Sequence, residues 1–110
     1  MMQVDHLEGL SVLSLEASRL DAKASRPFKE QVEELAKEGH TRLLLDMANL
    51  EFVDSSGVGA LVAALKAVTA EGDLQLCGVR PSVLSLLRLT RLDRIFKIHE
   101  NVDLGKANFG

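Results

Sequence analysis

Cysteine is almost missing from these 110 residues: Cys77 stands alone, so no internal disulfide can form and a reducing, cytoplasmic setting is expected. Tryptophan and tyrosine are absent and phenylalanine occurs only four times, which leaves little aromatic surface to stack on bases. A basic excess is missing too. The formal net charge is −3, which disfavours nucleic acid as a partner. No apolar run approaches the roughly 20 residues that cross a bilayer, so membrane insertion is not expected. The opening MMQVDHLEGL lacks a basic stretch ahead of an apolar core, so no secretory leader is expected. Repeats, low-complexity tracts and Pro/Gly-rich linkers are absent as well, and residues 1–110 read as one domain.

What remains is ordinary for a globular chain, with 46% hydrophobic and 26% charged residues. The charge is uneven: residues 29–54 carry seven acids against three bases, and residues 80–97 carry five bases against one acid. Such polarity suits two solvated faces, and it can also orient a charged partner.

Gln3–His6 and Leu10–Ala17 read as strands separated by Glu8-Gly9, as in a hairpin. A helix is expected from about Ser25, with Pro27 in its first turn and a stripe of Phe28, Val32, Leu35 and Ala36. Gly39 ends it. The run RLLLDMA at residues 42–48 reads as a strand covered on both faces. After it, Val58, Leu61, Val62, Leu65 and Val68 make a helical stripe. Leu74–Val79 is the next buried strand, and Pro81 opens a helix with Val83, Leu86, Leu87 and Thr90 on one face and Arg88 and Arg91 on another. Ile95–His99 reads as a last strand, and residues 101–110 as a short helix or a frayed end. Helix–strand alternation needs crossover connections. The expected class is therefore α/β (α+β): a mixed, largely parallel sheet, an N-terminal hairpin at its edge and helices packed on it.

Between the strand and the alanine-rich helix lies Asp54-Ser55-Ser56-Gly57. A helix start has unpaired N–H groups and partial positive charge, and aspartate or serine there accepts a hydrogen bond from an N–H further on. Capping alone leaves Gly57 and Gly59 unexplained, since each costs about 1 kcal/mol against alanine in a helix. Close packing on the sheet is one reason for bare positions, and close approach of another molecule is the other.

Catalytic readings fail on spacing. A hydrolase elbow needs a glycine two residues before its serine, where this chain has Val53 and Asp54. His6, His40 and His99 sit in no motif that supplies a base, no phosphate-binding loop is present, and Cys77 has no ligand at metal spacing. Asp46 ends a buried strand, as a phospho-accepting aspartate does, yet Ser18-Arg19-Leu20-Asp21 after the preceding strand lacks the acidic pair such a site requires. No catalytic residue, metal or cofactor is expected; Asp46 is expected to bond to loop backbone, and Cys77 to lie in the core.

The stretch LLLDMANLEFVDSSGVGALVAAL resembles the signature of the STAS domain of bacterial anti-sigma factor antagonists, D-x-x-x-x-x-F/V-x-D-S-S/T-G between an apolar strand and a glycine- and alanine-rich helix. Leu20-Asp21-Ala22, Leu76–Val83 and Leu92–Ile98 are similar to further segments of that family. The resemblance implies a binding switch and not an enzyme. An unphosphorylated antagonist captures an anti-sigma factor that is also a serine kinase, and a sigma factor is freed. The kinase phosphorylates the serine after the aspartate, here Ser55, with Ser56 the second candidate, and a metal-dependent serine phosphatase reverses the mark. The implied partner-binding residues are Asp21, Asp54, Ser55, Ser56, Gly57, Val58 and Gly59. The alternative implied by the same resemblance is a STAS subunit of a larger regulatory or lipid-transport assembly without a phosphorylation switch.

Overall fold

The structure, a computed structural model, describes residues 2–110. Strands β1 (Met2–Leu7) and β2 (Leu10–Leu15) form the expected antiparallel hairpin, turned at Glu8-Gly9 with Gly9 at φ +73°. The remaining elements are β3 (Arg19–Leu20), α1 (Ala22–Lys37), β4 (Arg42–Asp46), β5 (Phe52–Val53), α2 (Ser55–Val68) and β6 (Asp73–Cys77). They are followed by α3 (Pro81–Leu89), a 3-10 turn (Leu92–Arg94), β7 (Ile98–His99) and α4 (Val102–Asn108). The main sheet runs β1-β2-β4-β6-β7, and every pairing after the hairpin is parallel. The expected class holds.

The uninterrupted leucines of β4 follow from coverage on both faces. Leu43 and Leu45 enter the main core with Phe28, Val32 and Leu61, whereas Leu44 joins Val12 and Cys77 on the other side. Full burial of each large aliphatic or aromatic side chain stabilises by about 1.5–3 kcal/mol. The tail forms α4, which lies on that second face so closely that a Cβ on Gly105 would overlap the Leu44 side chain.

Several boundaries and faces differ from expectation: β2, β4 and β6 each end two residues early, at Leu15, Asp46 and Cys77. α1 begins at Ala22, three residues early, so Pro27 falls in its second turn, on the exposed side. The buried stripe of α2 is Gly57, Ala60, Leu61, Ala64 and Val68, with Val58, Val62 and Leu65 only partly buried. Thr90 caps the C-terminus of α3 on the exposed side and does not join its buried face. β7 keeps only Ile98–His99, because the 3-10 turn takes Leu92–Arg94 and Phe96 folds into the core.

Under α4 the sheet buries a polar chain: His99 Nε2 lies 2.7 Å from Gln75 Oε1, and Gln75 Nε2 donates to Asp73 at 3.0 Å. Burial, reinforced by Lys97, holds His99 below the ordinary imidazole value. A lowered folded pKa contributes stability that is complete above the unfolded value of about 6.5. That contribution is lost as pH falls through the lower folded value. Melting curves from pH 8 down to pH 5 are expected to show a loss that is smaller in His99→Gln.

Candidate functional site

The site is built by a pairing of only two residues on each side. β3 and β5 form a separate two-stranded parallel ladder, Arg19 opposite Phe52 and Leu20 opposite Val53. Each strand runs directly into an aspartate and then a helix, so α1 and α2 start side by side. The Asp54 N–H donates to the Leu20 carbonyl at 3.3 Å and ties the two starts together. Both aspartates cap: Asp21 accepts from the Ala24 N–H at 3.1 Å, and Asp54 from the Gly57 N–H at 3.0 Å. The Ala24 hydrogen bond, with Arg19 adding to it against partial desolvation, holds the Asp21 carboxyl below its ordinary value, so it is charged at neutral pH. Asp54→Ala removes a cap worth about 1 kcal/mol, a loss that urea unfolding of the variant is expected to show.

Ser55 and Ser56 occupy the first two positions of α2, both exposed. Neither hydroxyl is held by another side chain among the described residues, and at this end of a helix the backbone N–H groups have no intrahelical acceptor. Ser56 also lines a groove of about 460 Å³ between α1 and α2, walled by Arg26 and Lys29 and floored by Gly59, Ala60 and Ala63. Val58 is half-buried against the core.

The two glycines part company here. Gly57 is buried, and a Cβ on it would collide with the Leu20 carbonyl and the Val53 side chain. Of the two reasons for a bare position, close packing accounts for Gly57, against β3. Gly59 is exposed, and a Cβ there would meet nothing within 4 Å.

Sequence reading missed Arg19 and Phe52. The Arg19 guanidinium lies 4.2 Å from the Phe52 ring centroid, and its Nε is 3.7 Å from Asp21 Oδ2. The available signal was the repeated order of an apolar residue, aspartate and a helix at Leu20-Asp21 and Val53-Asp54. Elsewhere, Asp46 accepts from the Ala48 N–H at 3.0 Å, as expected of a loop-bonding residue. Cys77 is fully buried, and its thiol is pushed up to about 12 by burial, with the Asp46 carboxylate adding to the shift. Neither residue lies at the two helix starts.

The profile of the STAS domain matches residues 1–105. An anti-sigma F factor antagonist from Paenibacillus polymyxa is 28% identical over 102 residues, 91% of this chain and 86% of that protein. Among solved structures, an anti-sigma factor antagonist from Mycobacterium paratuberculosis shares the fold with a TM-score of 0.88 at 20% identity, over 99% of this chain and 92% of that one. SpoIIAA, a Bacillus cell fate determinant, shares the fold in its phosphorylated form with a TM-score of 0.69 at 20% identity, over 91% and 92% of the two chains.

Proposed function

Because this chain belongs to the STAS domain family, we propose that it is an anti-sigma factor antagonist switched by phosphorylation at Ser55. The observation that carries the reading is a free hydroxyl at the exposed start of α2, flanked by a second capped helix start. The Paenibacillus polymyxa relative bears the same role in its name. Unphosphorylated, the face made by Asp21, Asp54, Ser55, Ser56, Val58 and Gly59 captures an anti-sigma factor, and the sigma factor that it held is released. The anti-sigma factor is itself the kinase. The γ-phosphoryl group of ATP moves to Ser55 Oγ, the hydroxyl proton leaves, and ADP departs. A metal-dependent serine phosphatase hydrolyses the ester and restores the binding form.

The scaffold suits such a mark. A phosphoryl group of charge about −1.5 to −2 at a helix start meets N–H groups and a favourable dipole, worth about 0.3–1 kcal/mol when exposed. Phosphorylation then alters what the surface binds without melting the helix that carries it. The role is regulatory and belongs in the cytoplasm; no helix among the described residues is long and apolar enough to cross a membrane.

The test is incubation with the cognate anti-sigma factor and ATP, followed by mass-spectrometric mapping. Phosphate at Ser55, absent from Ser55→Ala, is the expected result. Phosphate confined to Ser56 overturns the assignment of the switch. A stable complex with no phosphate at either serine favours a non-switching subunit of a larger assembly.

A further inference from the structure

The pole opposite the two helix starts carries a patch that the switch does not use. α3 leaves the site end of the sheet at Pro81 and returns to the end where the parallel strands begin. There the chain turns through consecutive hydrogen bonds, Arg91 N–H to Arg88 O at 3.1 Å, Arg94 N–H to Arg91 O at 3.2 Å and Ile95 N–H to Leu92 O at 3.0 Å. Leu92 and Phe96 anchor this segment in the core, 5% and 3% exposed. Leu89 and Ile95 stand out at 83% and 55%, the two most exposed large apolar side chains among the described residues. Arg88, Arg91 and Arg94 are exposed around them, and none has an ion-pair partner among the described residues. Arg91 sits at φ 61°, a left-handed conformation that disfavours residues with a side chain.

Three unpaired guanidiniums around two bare aliphatics define the complement: carboxylates with apolar side chains between them. Guanidinium forks take carboxylates in pairs of parallel hydrogen bonds, and Leu89 and Ile95 lose their water on contact. An anionic bilayer is the weaker match. Asp93 stands exposed between Arg91 and Arg94, and a uniformly negative surface meets it together with the arginines, whereas a peptide can space its carboxylates to meet the arginines alone. A peptide confronts the patch alone, because charges elsewhere on a molecule measuring 32 × 27 × 23 Å are screened over about 8 Å at physiological salt. We propose that Arg88, Leu89, Arg91, Arg94 and Ile95 form a docking surface for an acidic protein segment with interspersed aliphatic side chains, leaving the Ser55 pole free.

The test uses a short fluorescein-labelled peptide that alternates glutamate and leucine, titrated into the full chain by fluorescence anisotropy. Saturable binding that weakens with salt is expected. Joint replacement Arg88→Glu, Arg91→Glu and Arg94→Glu is expected to weaken it about tenfold or more, and Leu89→Ser with Ile95→Ser to weaken it as well. Backbone amide shifts in the unsubstituted chain are expected to cluster at residues 88–95, a readout that needs no variant to fold. Absence of binding, equal binding by the charge-reversed chain, or shifts clustered elsewhere overturns the proposal. So does equal binding of a serine–leucine peptide, or preferential sedimentation of the chain with phosphatidylglycerol vesicles.

Discussion

A phosphate on Ser55 is expected to weaken capture of the anti-sigma factor about a hundredfold while leaving the melting temperature of the free chain unchanged or raised by a few degrees. The two halves of this result come from one location. In the free protein the phosphoryl group sits in water over the positive end of α2, where the dipole favours it and the neighbouring carboxylates of Asp54 and Asp21 are screened. In the complex that water is excluded. A dianion enclosed beside two carboxylates costs several kcal/mol unless a cation meets it, and each 1.4 kcal/mol is about tenfold in affinity. Ser55→Asp carries half the charge and is expected to weaken binding by about tenfold or more. Ser55→Ala is expected to bind as the unmodified chain does. Calorimetric titration of the four forms, paired with thermal melts, makes the comparison. Equal affinity of the phosphorylated and unmodified proteins would remove the switch from Ser55, and a large drop in melting temperature would place its effect in the fold.

Gly57→Ala and Gly59→Ala, two residues apart on one helix, are expected to move stability in opposite directions. Alanine gains about 1 kcal/mol over glycine in a helix interior. At position 57 the added methyl meets the Leu20 carbonyl, which belongs to backbone and cannot swing aside. Overpacking of this kind costs about 1–3 kcal/mol or more, so the net change is a loss. The β3–β5 ladder moves with it, because Leu20 pairs with Val53 and accepts from Asp54. Position 59 is open, so the substitution there is expected to stabilise by about 0.4–1 kcal/mol. The same methyl enters the groove beside Ser56, and weaker anti-sigma binding by a more stable protein is the expected signature. Denaturant unfolding and calorimetric binding of the two variants separate the roles; two losses of stability, or two gains, would refute the packing argument.

Long, periodic segments were readable from the chain. The leucines of β4, the Pro81 start of α3 and the apolar stripe of α1 all follow from local pattern. Asp54, Ser55 and Ser56 were readable as a helix start for the same reason. What escaped depends on pairing at a distance. β3 and β5 are two residues each, too short for any alternation to register, and Arg19 and Phe52 meet only because their strands align. The start of α1 was misplaced because Pro27 suits a first turn so well. Asp21 begins the helix with a cap, and the exposed side of the second turn accommodates the proline. Gly57 and Gly59 look alike in sequence; only the carbonyl packed against one of them tells them apart.

The ladder that aligns the two helix starts is held by two residues on each side. A unit that small opens far more often than the whole chain unfolds. Deuterium uptake at the Asp54 amide, whose acceptor is the Leu20 carbonyl, therefore times how often α1 and α2 part company at the site. An anti-sigma factor that grips both starts slows that clock, and the slowing registers at occupancies too low to shift a melting curve.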